Sequence, residues 1–349
     1  MNPRILTGTT RRKALLAACG LLGGGLLICQ VQAQSDPLNA LAQTEAQQPL
    51  LAEVPAGSYQ VKEFDWRDAG RQREVPVRLY WPSQLAADAK APLVVFSHGI
   101  GGSRRGYSYL GAYWASQGYA SLHLQHVGSD RQLWMGNPFS LPGRLQGAAQ
   151  DTEAINRVQD LHFALDQILA SPQGQQIDKR RIIAAGHSYG ANTTLLAIGA
   201  RVERKGELLD FRDKRIQAAI ILSAPPFYGE TDPAKVLAGV TVPSLHITAT
   251  EDVIRVPGYF SDASDRIAIY EATAGPRKTL AVFQGGSHSI FTDRGGTGGV
   301  ALNPRVKTAT RELSLAFLRS VFDGLDDPLQ QWGLQNKGLL ARYVSGSGS

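Results

Sequence analysis

Residues 186–190 read GHSYG, a serine flanked two places away on each side by glycine. A serine hydroxyl is a poor nucleophile at neutral pH. It attacks a carbonyl only when a base takes its proton and an acid orients that base. When such a serine sits on a tight turn between strand and helix, the acid and then a histidine follow it along the chain. Of the seven histidines, only His246 and His288 follow Ser188. His246 lies inside the apolar run PSLHITAT and reads as a packing residue. His288 lies in GGSHSIF, on a glycine-loosened loop just past another apolar run, and is the expected base. The acid should come from the end of SLHITATEDVIRVP, where Glu251 and Asp252 are adjacent. Asp262 and Asp265 stand farther on, in a stretch that reads as a surface helix.

The chemistry also needs two backbone N–H groups aimed at the oxyanion that forms on attack. One belongs to the residue after the nucleophile, Tyr189. The other should come from a glycine-rich loop after an early strand, and FSHGIGGS (96–103) supplies it, with Ile100 as the donor. A phosphate cradle would want a lysine in that pattern, and none precedes Arg104.

These groups must be carried by definite elements. IIAAGHS is a buried strand and YGANTTLLAIG a helix, so Ser188 falls at a strand-to-helix turn, where Gly186, Gly190 and Ala191 must be small for the two to pack. SYQVKEFDW and REVPVRLYW alternate with period two and read as early strands. PLVVFSHG (92–99), YASLHLQH (119–126), QAAIILSAP (217–225), PSLHITAT (243–250) and KTLAVFQGG (278–286) are short strand runs. Helical patterns lie between them at 108–117, 149–170 and 305–322, with Ile155, Val158, Leu161, Leu165 and Ile168 spaced along the second. Alternation of this kind predicts an α/β fold, a mostly parallel sheet covered by helices on both faces.

The chain of 349 residues is 43% apolar and 19% charged, the balance of a globular protein. Residues 1–33 read as a signal peptide: Arg11, Arg12 and Lys13 precede an apolar run to Val31 and a small-residue cleavage site at Val31-Gln32-Ala33. The paired arginines fit export of a folded protein, while Ala14 at the place where that signal favours phenylalanine leaves the ordinary secretory route open. The expected protein is therefore exported, periplasmic or secreted, and has no membrane span once the signal is removed. Cleavage would also remove Cys19 and Cys29, leaving neither disulfide nor thiol. The formal charge of +6 falls to +2 without Arg4, Arg11, Arg12 and Lys13, so charge gives no argument for a nucleic-acid partner. Residues 34–57 read as a linker or arm, 58–323 as the catalytic domain, and 324–349 as a C-terminal tail with a short helix around 328–342.

The motifs FSHGIGG, GHSYGA, TEDV and GGSHS, in this order, resemble the serine esterases of the α/β-hydrolase superfamily. They are most similar to the platelet-activating-factor acetylhydrolase and dienelactone-hydrolase-like group. The resemblance covers residues 58–323. It implies an α/β-hydrolase fold and a Ser188–His288–Asp252 triad, with Asp252 favoured over Glu251 by its place after the short turn. It also implies a carboxylic-ester substrate, short to medium in acyl chain or lipid-like, and no cofactor or metal. RVQDLHFALDQI looks like that group's helix before the nucleophile strand, with Arg157 and Asp160 in structural roles. True dienelactone hydrolases use cysteine where this chain has serine. GGSHS also resembles the histidine loop of cutinase-like polyester hydrolases, and an acyltransferase would share every residue named. Between strand and long helix, VGSDRQLWMGNPFSLPGRLQG (127–147) is unusually apolar. Trp134, Met135 and Phe139 there, with Phe291 past the histidine, are candidates to line an acyl pocket, the alternative being a hydrophobic cluster under a long loop. His123 and His126, three apart on a predicted strand, face opposite sides and cannot share a metal ion.

Overall fold

The computed structural model describes residues 53–346 apart from 87 and 257. The expected signal peptide, nearly all of the 34–57 arm and the last three residues lie outside the described residues. Among the described residues, thirteen strands and eight α-helices follow in chain order. They are β1 (Tyr59–Asp68), β2 (Arg73–Pro82), β3 (Ala91–Ser97), α1 (Ser108–Ser116), β4 (Ala120–Leu124), α2 (Leu141–Ala148), α3 (Asp151–Ala170), β5 (Ile177–His187), α4 (Tyr189–Ala197), β6 (Arg201–Arg204), β7 (Glu207–Asp210) and β8 (Ile216–Leu222). Then come α5 (Pro233–Leu237), β9 (Ser244–Glu251), β10 (Ile254–Val256), β11 (Tyr259–Ser261), α6 (Ala263–Ala272), β12 (Lys278–Ser287), α7 (Leu302–Asp323), α8 (Asp327–Gln335) and β13 (Leu340–Val344).

Nine strands form one sheet in the order β1-β2-β4-β3-β5-β8-β9-β12-β13. The run from β4 to β12 is parallel, and β1, β2 and β13 join antiparallel at the two edges. Every residue of β3 is buried, as a strand covered on both faces requires. Strand alternation then divides the apolar residues between two cores. Leu93, Val95, Ile182, Ala184, Ala219 and Ile221 face α3 and α4. Val94, Phe96, Ile183, Ala185, Ala218 and Ile220 face α1, α7 and α8.

The α/β class and the mostly parallel sheet agree with the sequence reading. The C-terminal segment does not act as a tail. It forms α8, whose Leu329 and Trp332 are buried in the second core, and then β13, which pairs with β12. LARYV is five residues with little alternation of burial, too short and too mixed for periodicity to reveal as an edge strand. Two small hairpins, β6–β7 and β10–β11, also escaped the sequence reading, and both supply residues to the wall of the cavity described below.

Candidate active site

Ser188 follows β5 and precedes the first residue of α4, with φ 55° and ψ −123°, a conformation that a residue with a side chain adopts only under constraint. The constraint is visible in the glycines. A Cβ on Gly190 would overlap the Ser97 carbonyl, and one on Gly186 would overlap the Gly190 carbonyl. Backbone therefore packs on backbone around the turn, and the hydroxyl is lifted off the end of the sheet.

His288 follows β12, and its Nε2 lies 2.7 Å from Ser188 Oγ. Its Nδ1 lies 2.6 Å from Asp252 Oδ1, just past β9. A carboxylate can only accept, so Nδ1 carries the proton and Nε2 is free to accept from the serine. Asp252 is fully buried and also accepts from Thr248 Oγ1 at 2.7 Å, with the buried Arg266 guanidinium 3.5 Å away. Burial alone would raise its pKa, but the hydrogen bond from His288 and the nearby positive charges outweigh it and hold the carboxyl well below the ordinary range. Glu251, the other acid considered, is exposed at the end of β9.

Ile100 and Tyr189 both line the cavity that opens at Ser188. Tyr189 is the first residue of α4, so its amide has no partner within the helix. Two buried groups fix this region: Arg157, read from the sequence as structural, and His187, to which the sequence reading gave no role. Arg157, fully buried on α3, donates from Nη2 to the His98 carbonyl, from Nη1 to Ser129 Oγ at 2.8 Å and from Nε to Thr193 Oγ1 at 3.1 Å. Its guanidinium carbon also stands 4.5 Å from the Tyr189 ring centroid. One side chain thus touches both segments that carry the expected oxyanion donors. Burial pulls its pKa down to about 10, still charged at neutral pH. His187, beside the nucleophile, donates from Nε2 to the His288 carbonyl at 2.9 Å and accepts at Nδ1 from the Tyr107 hydroxyl at 2.8 Å. Burial lowers its pKa to about 3, so it stays neutral and ties the base-bearing loop to the turn.

The cavity has a volume of about 160 Å³. Its walls come from α2 and α3 (Leu145, Ala154), α4 (Leu196), the β6–β7 hairpin (Val202, Leu209), Phe211, the segment after β8 (Phe227) and the β10–β11 hairpin (Val256, Tyr259). The four apolar candidates from the sequence are elsewhere. Trp134, 46% exposed, donates from Nε1 to the Gly101 carbonyl; Met135 and Phe139 are 69% and 93% exposed; Phe291 is buried in the second core. None of them lines the cavity among the described residues. Of the apolar loop 127–147 only Leu145 lines the cavity, and Ala149 follows just beyond it. His123 and His126 also separate, the first against Tyr80 and Phe96, the second hydrogen-bonded to Ser97 and Asp160.

Against solved structures, the chain resembles a ferulic acid esterase from Streptomyces cinnamoneus with a TM-score of 0.56 and 22% identity, over 79% of this chain and 93% of that one. The chain has the α/β-hydrolase fold. The family described as platelet-activating factor acetylhydrolase, isoform II, matches residues 66–131. Platelet-activating factor acetylhydrolase of Cavia porcellus is 25% identical over 307 residues, covering 74% of this chain and 63% of that protein. The Canis lupus familiaris protein of the same name is 25% identical over 177 residues, 41% of this chain and 37% of its own. The chain thus spans less than two thirds of the length of either relative. No helix among the described residues is long and apolar enough to cross a membrane.

Proposed function

We propose that the protein is an exported serine carboxylic-ester hydrolase. The observation that carries this reading is the unbroken chain from the Ser188 hydroxyl, on a strained turn, through His288 to buried Asp252. The similarity to acetylhydrolases and the fold shared with an esterase support the same class. Ser188 Oγ attacks the ester carbonyl carbon as His288 Nε2 takes its proton. The carbonyl π electrons move to oxygen, where the Ile100 and Tyr189 amides meet the negative charge. The carbonyl re-forms, the C–O bond to the alcohol breaks, and His288 returns the proton to the departing oxygen. Water, deprotonated by the same imidazole, then attacks the acyl-enzyme and releases the acid. Asp252 orients the imidazole and stabilises its charge throughout.

Replacing Ser188 with alanine should reduce turnover of 4-nitrophenyl acetate by ~10⁴-fold or more while leaving the circular dichroism spectrum unchanged. Activity within tenfold of wild type would sink the reading. Supplying an alcohol acceptor and analysing products separates hydrolysis from acyl transfer, and release of soluble monomers from a polyester film tests the cutinase-like alternative.

A further inference from the structure

The ester-hydrolase reading leaves open which half of the ester the cavity receives. We infer that it is the acyl pocket, so that the enzyme selects its substrates by an extended apolar acyl group and leaves the alcohol unconstrained. The inference rests on the proposed reaction, whose geometry sets three directions around the reacting carbon. The carbonyl oxygen must point to the Ile100 and Tyr189 amides. The departing alcohol oxygen must lie beside His288 Nε2, because that atom returns the proton to it. The acyl chain takes the remaining direction, away from the imidazole.

The cavity is lined by Ser188, Ile100 and Tyr189 together with Leu196, Val202, Phe211 and Phe227. Leu196 and Val202 belong to the core on the α3–α4 face, and Phe211 and Phe227 pack against it. The base-bearing loop sits on the other side of the sheet plane, where Ile290 and Phe291 are buried against the α1–α7 face. Among the described residues, no residue of the loop after β12 contributes to the cavity wall. The segment that carries His288, beside which the alcohol departs, thus supplies none of the walls.

The space, about 160 Å³, compares with roughly 10–15 Å³ needed by one water molecule on the same measure, so it holds far more than a methyl group. Its walls are mostly aliphatic and aromatic, with Asn192 and Thr193 of α4 as uncharged polar members. The charged pair at its edge, Arg204 with Asp151 at 2.8 Å, is already mutually satisfied and does not demand a charged ligand. The substrate class that fits is an ester of an unbranched or aryl-ended apolar acid longer than acetate.

Two matched series test this on the wild-type protein. With 4-nitrophenol held constant, kcat/KM should rise about fourfold per methylene from acetyl to hexanoyl as each added group is buried. With butyrate held constant, the ethyl, butyl and octyl esters should agree within about threefold. Ala154→Leu, which intrudes into the cavity from a good helix position, should lower the hexanoyl-to-acetyl ratio by about tenfold. Phe211→Ala should shift the optimum to longer chains. Each ratio is taken within one variant, so a loss of folded protein cancels. A flat acyl series, a steeper alcohol series, or an Ala154→Leu ratio equal to wild type would overturn the assignment. Failure of the wild type to cleave any ester is a separate outcome, and it removes the hydrolase reading on which the assignment rests.

Discussion

The molecule contains the same trio twice. Ser188, His288 and Asp252 meet at 2.7 and 2.6 Å; Ser97, His126 and Asp160 meet at 3.0 and 3.1 Å, with the same imidazole nitrogens facing the hydroxyl and the carboxylate. Their surroundings differ in every respect that matters for chemistry. Ser97 closes the extended strand β3, and all three members of its trio are completely buried. Asp160 is engaged by Arg73 at 2.9 Å and Arg71 at 2.9 Å, so its charge is shared with two guanidinium groups. Ser188 instead stands on a strained turn with positive φ and lines a cavity that Ile100 and Tyr189 also line. Hydrogen-bond geometry alone does not make a nucleophile. Access and a strained turn set the trio at Ser188 apart.

One substitution made in both trios breaks the comparison most sharply. Asp252→Asn should reduce kcat on 4-nitrophenyl esters by ~10³–10⁴-fold, because the amide no longer holds the imidazole in the tautomer that can accept from Ser188. Asp160→Asn should do the reverse, reducing kcat only a few-fold but lowering stability by about 3 kcal/mol, since Arg73 and Arg71 lose a buried counter-charge. Steady-state kinetics and urea unfolding of the two variants decide it. Equal kinetic losses would mean that the buried trio takes part in the reaction.

That contrast also marks what the sequence could and could not disclose. Ser188 and His288 were legible because each sits in a local signature, the glycine-flanked serine and the histidine just past an apolar run, whereas the strand end offered Glu251 and Asp252 alike and only the family resemblance favoured Asp252. The parallel order of the sheet was legible from alternating strand and helix patterns. Arg157 and Asp160 were visible only as a structural helix face, because their partners, His98 and Ser129 or Arg73 and Arg71, come from segments far away in the chain. The cavity walls were hidden for a related reason. β6–β7 and β10–β11 are strands of three or four residues, below the length at which alternation can be distinguished from chance. The aromatic loop residues drew attention by composition, yet Trp134 spends its indole N–H on Gly101, and Phe139 faces solvent.

Arg157 connects the two trios, since it contacts His98 and Ser129 behind the buried one and Tyr189 beside the exposed one. In the proposed reaction it is a positioning residue, acting on the amides of Ile100 and Tyr189 through the segments that bear them. Lysine keeps the charge but cannot reach three acceptors at once. Arg157→Lys should therefore lower kcat by about 10–100-fold with KM changed less than about threefold, because oxyanion contacts strengthen only in the transition state. Binding of a boronate inhibitor that mimics the tetrahedral adduct should weaken in parallel. A merely structural arginine would lower the melting temperature and leave both readouts unmoved in the folded fraction.

The smallest difference between the trios should appear in acid. Burial, with Arg157, Arg73 and Arg71 nearby, presses the His126 pKa far below its ordinary value, so the folded protein keeps this imidazole neutral. Below pH ~6.5 the unfolded chain binds a proton there that the folded chain does not, so stability falls as pH falls, by up to about 1.4 kcal/mol per pH unit for this one residue. Asp252 acts in another window. Its folded pKa is depressed, so its contribution is present above the ordinary carboxylate range and is lost only as pH drops below about 4. Acid should thus weaken the buried trio first. His126→Gln retains a donor and an acceptor but cannot titrate, and it should make the decline in urea-unfolding free energy between pH 6 and pH 5 shallower by about one proton's worth. An identical slope in the variant and the wild type would mean that His126 is already protonated in the folded state. In that case Asp160 would be holding a charged imidazole just as Asp252 is proposed to do during turnover, and the two trios would differ in access alone.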